Sequence, residues 1–257
     1  MLEILNISKT FNSGTVDEKK LFSDFSLKVD DGEFVAVVGS NGSGKTTLLN
    51  IISGNIGLDQ GDIILDGVNL SRKPAYKRAF DIARVFQNPA LGTCAKMTVF
   101  ENMSLADNKA KSFNLTRGLN KKRLDFYRDN LKILGMGLED RMNSLAGSLS
   151  GGQRQALALI MATLYTPKLL LLDEHTAALD PRSADIVMEL TDRIIKEKKL
   201  TALMVTHNLR YAVSYGSRAI MMHDGKAVLD VSGEEKKNKK IDDYLKQFNE
   251  ISIECGN

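Results

Sequence analysis

Apolar and polar side chains alternate over residues 2–8 and again over 25–29, the period-two pattern of half-buried strands. Between them, residues 12–20 are polar and contain Gly14, which predicts a hairpin-like excursion. From Phe34 to Val38 the alternation gives way to a continuous apolar run rich in β-branched residues. A run of that kind predicts a strand covered on both faces, as in a parallel sheet. A glycine-rich loop follows, then a helix over 45–53 that Gly54 stops. Further short strands are predicted at 62–65, 82–86, 169–172, 202–205 and 219–222. One helix starts after Ser150 and runs to Leu164, and an amphipathic helix over 182–198 is entered through Pro181.

From 95 to 147 the strand signals vanish. Leu124, Tyr127, Leu131 and Leu134 fall at helical spacing among Lys121, Lys122, Arg123 and Arg128, and Gly135 and Gly137 close that helix. The pattern describes an α/β protein carrying a helical insertion. The basic stretch 109–123 reads as a solvated helix face, and the charged tail 234–240 as a solvated surface segment. No internal repeat and no low-complexity linker interrupts the chain.

Composition narrows the field. A chain of 257 residues, 43% hydrophobic and 26% charged, is an ordinary globular protein with one sizeable core. Its net charge of +3 is too small to point to nucleic acid as a partner. No apolar run approaches the ~20 residues that span a bilayer. The start Met-Leu-Glu-Ile-Leu-Asn lacks the features of a signal peptide, so a cytosolic protein is expected. Cys94 and Cys255 have no metal-ligand spacing and are expected to be unpaired and chemically incidental.

The chemistry begins at Gly39, Ser40, Asn41, Gly42, Ser43, Gly44, Lys45 and Thr46, which fit G-x-x-x-x-G-K-[ST] between a predicted strand and a predicted helix. Gly42 and Gly44 permit backbone angles that turn several N–H groups toward one anion, and the helix start adds its positive end. Lys45 then supplies charge to the β and γ phosphates of ATP. Thr46 offers a hydroxyl to Mg²⁺, and Thr47 can hold the α phosphate. Asp173 closes the buried strand 169–172, where a carboxylate can hold Mg²⁺ through water. The next residue, Glu174, can orient and polarise an attacking water.

About a hundred residues beyond the loop comes Leu149-Ser150-Gly151-Gly152-Gln153. This sequence resembles the signature motif of the ATPase subunits of ABC transporters, and the resemblance runs over residues 1–232 in the family's order. It implies an ABC ATPase fold: a P-loop core with a mostly parallel sheet, an N-terminal antiparallel β subdomain and a helical insertion. The implied divisions are 1–94 with 148–233 for the core and β subdomain, 95–147 for the helical subdomain and 234–257 for a C-terminal tail. It also implies a head-to-tail pair of chains with ATP between the loop of one and the signature of the other. Ser150 and the two glycines, at a helix start, suit an anion. By the same resemblance Gln87 is the Q-loop glutamine, touching Mg²⁺ and water. Asp180, in Ala177-Ala178-Leu179-Asp180, belongs to the D-loop and reaches across the pair. His207 is the switch histidine on the γ phosphate, and Phe11 stacks on adenine.

Two departures stand out. Ser40 and His175 occupy positions where many members have proline. Asp-Glu-His-Thr-Ala-Ala-Leu-Asp resembles a less-characterised importer branch for small solutes, amino acids among them. The resemblance implies two further partners, an integral membrane permease and an extracytoplasmic solute-binding protein, with this chain peripheral on the inner face of the membrane. The permease would be received near Asn88–Glu101, where Leu91, Met97, Val99 and Phe100 are apolar. The rival reading is a soluble ABC-type ATPase of translation or DNA repair. Such proteins carry two domains per chain or a long coiled coil between motifs, and neither pattern occurs in this sequence.

Overall fold

The computed structural model describes residues 1–109 and 118–246. In chain order the elements are β1 (Leu2–Phe11), β2 (Lys19–Val29), β3 (Phe34–Gly39), α1 (Lys45–Ser53), β4 (Gln60–Leu65), β5 (Val68–Asn69), α2 (Ala75–Arg78) and β6 (Ile82–Val85). They continue with α3 (Val99–Asp107), α4 (Leu124–Lys132), α5 (Gly151–Thr163), β7 (Leu169–Asp173), α6 (Pro181–Lys198), β8 (Ala202–Val205) and α7 (Leu209–Ser214). The last are β9 (Arg218–His223), β10 (Lys226–Ser232) and α8 (Gly233–Asn238). The chain divides into two compact units, one built from residues 1–79 with the described residues from 199 onward, the other from 80–198.

In the first unit, β2-β1-β4-β5 form an antiparallel sheet. β1 and β2 pair from Leu2↔Val29 to Phe11↔Lys19, so both strands run beyond the predicted 2–8 and 25–29, and the predicted polar excursion is the turn over 12–18 that joins them. The register slips several times along the pair; Asn6, at φ 47°, marks the first slip, and its amide donates to Ser26 Oγ. Gly61 passes so close to this bulge that an added Cβ would sit 2.5 Å from the Leu5 and Asn6 carbonyl oxygens.

The same unit contains β3, buried along its whole length as the apolar run predicts, in parallel pairing with β8 on one side and β9 on the other. β10 returns antiparallel to β9 through Asp224 and Gly225, both at positive φ. Helix α1 ends at Gly54 as expected, with its N–H donated back to the Asn50 and Ile51 carbonyls. A second cap comes from α2. The buried Arg78 guanidinium donates to the carbonyls of Ile51, Ile52, Ser71 and Lys73. Burial lowers its pKa, but a guanidinium keeps its charge in proteins, so it is a cation at the negative end of the α1 dipole.

The charged tail is largely exposed as expected, with Lys236 the buried exception. Residues 233–238 form α8, and Lys236 turns inward to donate to the carbonyls of Val213, Tyr215 and Gly216, closing the end of α7. A charge run is read as solvated because its pattern says nothing about carbonyls left open elsewhere in the chain.

In the second unit, β6 and β7 pair in parallel, α5 packs on β6, and α3, α4 and α6 pack against α5. The insertion is helical as expected, and α3 has a capping box between Thr98 and Glu101. Of the basic stretch 109–123, residues 110–117 lie outside the described residues. Arg123 is half-buried: it pairs with Asp107 at 2.8 Å and lies over the Phe126 ring. The Asp107 carboxylate, 1% exposed, also accepts the hydroxyls of Tyr127 and Tyr165 at 3.1 and 2.6 Å. Burial, then that bond, pushes the Tyr165 phenol up to about 12. Cys94 is exposed and unpaired, and Cys255 lies outside the described residues.

Arg78 generates a stability prediction. Arg78→Met removes one cation and leaves buried carbonyls short of donors, so the unfolding free energy should fall by about 2–4 kcal/mol. Urea denaturation followed by circular dichroism measures this.

Candidate nucleotide site

The candidate residues divide between the two units, and in each unit parallel pairing sets their level. In the first, Val37 pairs with Val205, so Gly39 and His207, each two residues further on, leave the same carboxyl end of β3 and β8. The bond from Thr206 N–H to the Val37 carbonyl at 3.0 Å extends that register to the residue before His207. His207 is exposed, in the turn between β8 and α7, and Asn208 caps the helix that follows.

The phosphate loop is defined by what its glycines allow. At Gly39 an added Cβ would fall 2.2 Å from the Met222 carbonyl oxygen of β9, and at Gly44 one would fall 2.9 Å from the Phe22 ring. Gly44, at φ 102°, opens α1 with no side-chain cap bond and no acidic residue in its first turn. Lys45 is only 5% exposed, and its ammonium donates to the Gly39 and Ser40 carbonyls at 2.8 Å each. The Ser43 hydroxyl is buried without a hydrogen-bond partner. The Gly225 amide donates to the Ser43 carbonyl, so the β9–β10 turn supports the loop from beneath. A helix start with no side-chain cap, a folded-over cation and an unsatisfied hydroxyl suit a polyphosphate. Thr46 and Thr47 stand in the first turn of α1, Thr46 exposed and Thr47 half-buried. Ser40 is half-buried, while Asn41 and Gly42 are exposed on the loop's crest. Phe11 ends β1, half-buried, with the Lys9 ammonium 5.6 Å from its ring centre. Its cross-strand partner Lys19 reaches Gly42: a Cβ there would be 3.9 Å from the Lys19 ammonium.

In the second unit Val85 pairs with Leu172, so Gln87 and Glu174 likewise leave β6 and β7 at one level. Asp173 ends β7, and its carboxylate meets Arg84 at 2.5 Å, both side chains nearly buried. Sequence reasoning missed Arg84; its signal is a lone arginine within the apolar run Ile82-Ala-Arg-Val-Phe86. Glu174 is half-buried at φ 45°, a left-handed conformation that costs a side-chain-bearing residue about 1–2 kcal/mol. Its carbonyl accepts the Ala177 amide. His175 is 1% exposed, and burial pulls its pKa down to about 4, which keeps the ring neutral.

The signature motif is a helix cap in its own right. Ser150 Oγ accepts the Gln153 amide, and Gln153 Oε1 accepts the Ser150 amide, each at 3.2 Å. Gln153 is held further by Arg141 and by the Met136 carbonyl. The glycines admit a close neighbour: a Cβ on Gly151 would be 3.2 Å from Leu179, and one on Gly152 would be 3.0 Å from Ser183. The unit therefore brings the start of α5 against the segment containing Asp180, which is exposed and caps Ser183. Of the four apolar residues between 88 and 101, Leu91 is 68% exposed, whereas Val99 is in the core and Phe100 rests on Tyr127. The oxygens of Thr46, Asp173 and Gln87 are hard donors of the kind Mg²⁺ takes.

Residues 22–177 match the ABC transporter family. The chain is 49% identical to the tyrosine transport ATP-binding protein of Clostridioides difficile over 248 residues, 96% of this chain and 98% of that one. It is 35% identical over 228 residues to HrtA of Staphylococcus aureus, an ATP-binding protein named for hemin import, covering 88% of this chain and 98% of that one. An ATP-binding cassette of an ABC transporter in its ADP conformation superposes with TM-score 0.78 at 26% identity, over 100% of this chain and 99% of that one. A cassette in a dimeric post-hydrolysis state with ADP and phosphate superposes with TM-score 0.76 at 27% identity, over 90% of this chain and 98% of that one. The chain thus belongs to the ABC transporter family, as an ATP-hydrolysing subunit of a transport system.

Proposed function

We propose that this chain powers the import of a small solute, an aromatic amino acid in the first instance, by working as a head-to-tail pair on a separate membrane permease at the cytoplasmic face. An extracytoplasmic binding protein would deliver the solute to that permease. The observation that carries the head-to-tail pair is that the chain has one phosphate loop, at 39–46, and one capped signature, at 149–153. Two complete sites then call for two chains. The solute reading rests on the 49% identity to a protein named for tyrosine transport. Dimeric cassettes among the structural neighbours support the pairing.

In this reading Phe11 stacks on the adenine, while the amides opening α1 and the Lys45 ammonium hold the phosphates. Lys45 exchanges the Gly39 and Ser40 carbonyls for phosphate oxygens, a charge-assisted replacement for neutral acceptors. Thr46, Asp173 and Gln87 would hold Mg²⁺, which would neutralise phosphate charge. Arg84 fixes the Asp173 carboxylate, and Glu174 orients the attacking water. His207 contacts the γ phosphate, and Ser150, Gly151, Gly152, Gln153 and Asp180 of the second chain close the site from the other side. Phosphate transfer to water asks the protein for position and charge more than for covalent chemistry. Leu91, on the exposed face after Gln87, offers the permease an apolar contact.

Glu174→Gln should retain ATP binding, lose at least about 100-fold in turnover, and elute as a dimer with ATP and Mg²⁺ on size-exclusion chromatography. Hydrolysis at the normal rate would remove Glu174 from its role. Purified from its own membranes in mild detergent, the same variant should bring down a polytopic membrane protein in near-equal amount; ribosomal or DNA-repair proteins in its place would overturn the transport reading of this site. In a second experiment Lys45→Ala and Ser150→Arg chains are mixed. Mixed dimers should contain one intact site and show single-turnover hydrolysis that neither variant shows alone. Normal hydrolysis by either variant as a monomer would defeat the composite site.

A further inference from the structure

Glu174 is held in a left-handed backbone conformation that its side chain does not favour, and His175 beside it is buried against α6. Its Nε2 lies 3.0 Å from Thr191 Oγ1. The Thr191 hydroxyl already spends its single proton on the Val187 carbonyl, one turn back, at 2.7 Å. Thr191 Oγ1 can therefore only accept from the imidazole, which fixes the ring as the Nε2–H tautomer. A chain of two hydrogen bonds runs from the residue after Glu174 into the middle of an 18-residue helix. Thr191 is fully buried, so water cannot substitute for either partner.

The far end of the same segment is tied to the same helix. Asp180 caps the Ser183 amide with its side chain and accepts the Ala184 amide with its carbonyl. Inside the loop, Glu174 accepts from Ala177 and Thr176 from Leu179. Residues 174–180 thus form a short bridge with one foot on Thr191 and the other on the first turn of α6.

We infer that His175 is a positioning residue for hydrolysis: through Thr191 it fixes the backbone of Glu174, and so the aim of its carboxylate, against helix α6. This rests on the reading that Glu174 orients the attacking water. It extends that reading to a residue pair that touches neither nucleotide nor water. Loss of the pin should leave nucleotide binding, which the phosphate loop governs, and impair the step that depends on carboxylate aim.

The test uses the full-length protein and the near-isosteric Thr191→Val, which removes the acceptor and adds no bulk, beside Thr191→Ser, which keeps it. Thr191→Val should lower kcat for ATP about tenfold, the scale set by small misplacements of a catalytic group, with KM within about twofold. Thr191→Ser should restore most of kcat. Amide hydrogen exchange of free protein should rise over 174–180 in Thr191→Val and stay unchanged over 39–47. A kcat unaltered in Thr191→Val would overturn the inference. Equal losses in Thr191→Val and Thr191→Ser, with exchange raised along all of α6, would overturn it as well, by showing a general packing defect. Glu174→Gln run in parallel separates the two failures. If it abolishes turnover while Thr191→Val does not, only the pin is wrong; if it turns over normally, the reading of Glu174 fails first.

Discussion

Parallel strand pairing is the constraint on which the candidate site depends. In each compact unit two strands run side by side in a fixed register, Val37 with Val205 and Val85 with Leu172. Two residues beyond each pair stand the groups of interest: Gly39 with His207, and Gln87 with Glu174. A strand advances about 3.3 Å per residue and faces alternate sides at each step, so a slip of one residue would remove a group both from its level and from its side. The apolar runs around them do more than fill the core. By burying β3 and β7 completely they make such a slip expensive, and the chemistry inherits its alignment from their packing.

Much of this was legible in the sequence because it depends on motifs whose chemistry is local. A loop from Gly39 to Thr46 between a strand and a helix needs only adjacent residues to declare itself, and Ser150 with Gln153 is a capping pair visible at a spacing of three. Buried strands announce themselves by continuous apolar residues, and β3 and β7 lie where the pattern puts them. The N-terminal hairpin was harder. Its strands run on past residue 8 and begin before 25, where repeated register slips break the alternation by which a strand is recognised.

What stayed hidden shares one physical property. Arg78, Arg84, Arg123, Lys236 and His175 are polar residues turned inward to partners far along the chain or in the next turn of a helix. A sequence window sees a charge and assigns it to solvent, because the carbonyls of Ile51 or Gly216 and the carboxylates of Asp107 or Asp173 leave no mark in the pattern. Each inward cation is matched by acceptors, carbonyls for Arg78 and Lys236, a carboxylate for Arg84 and Arg123. That matching lets the interior keep charge without an uncompensated desolvation cost.

The contact beneath the phosphate loop binds its two partners unequally. Gly39 meets β9 through the main-chain oxygen of Met222, never through the methionine side chain. Any residue at 222 presents the same oxygen, whereas any residue but glycine at 39 collides with it. Substitution at position 222 is therefore limited only by what the core around its side chain accepts, and substitution at 39 is closed whatever the side chain. The two touching positions have different freedom to drift, and the loop's shape can be inherited unchanged while the strand under it is rewritten.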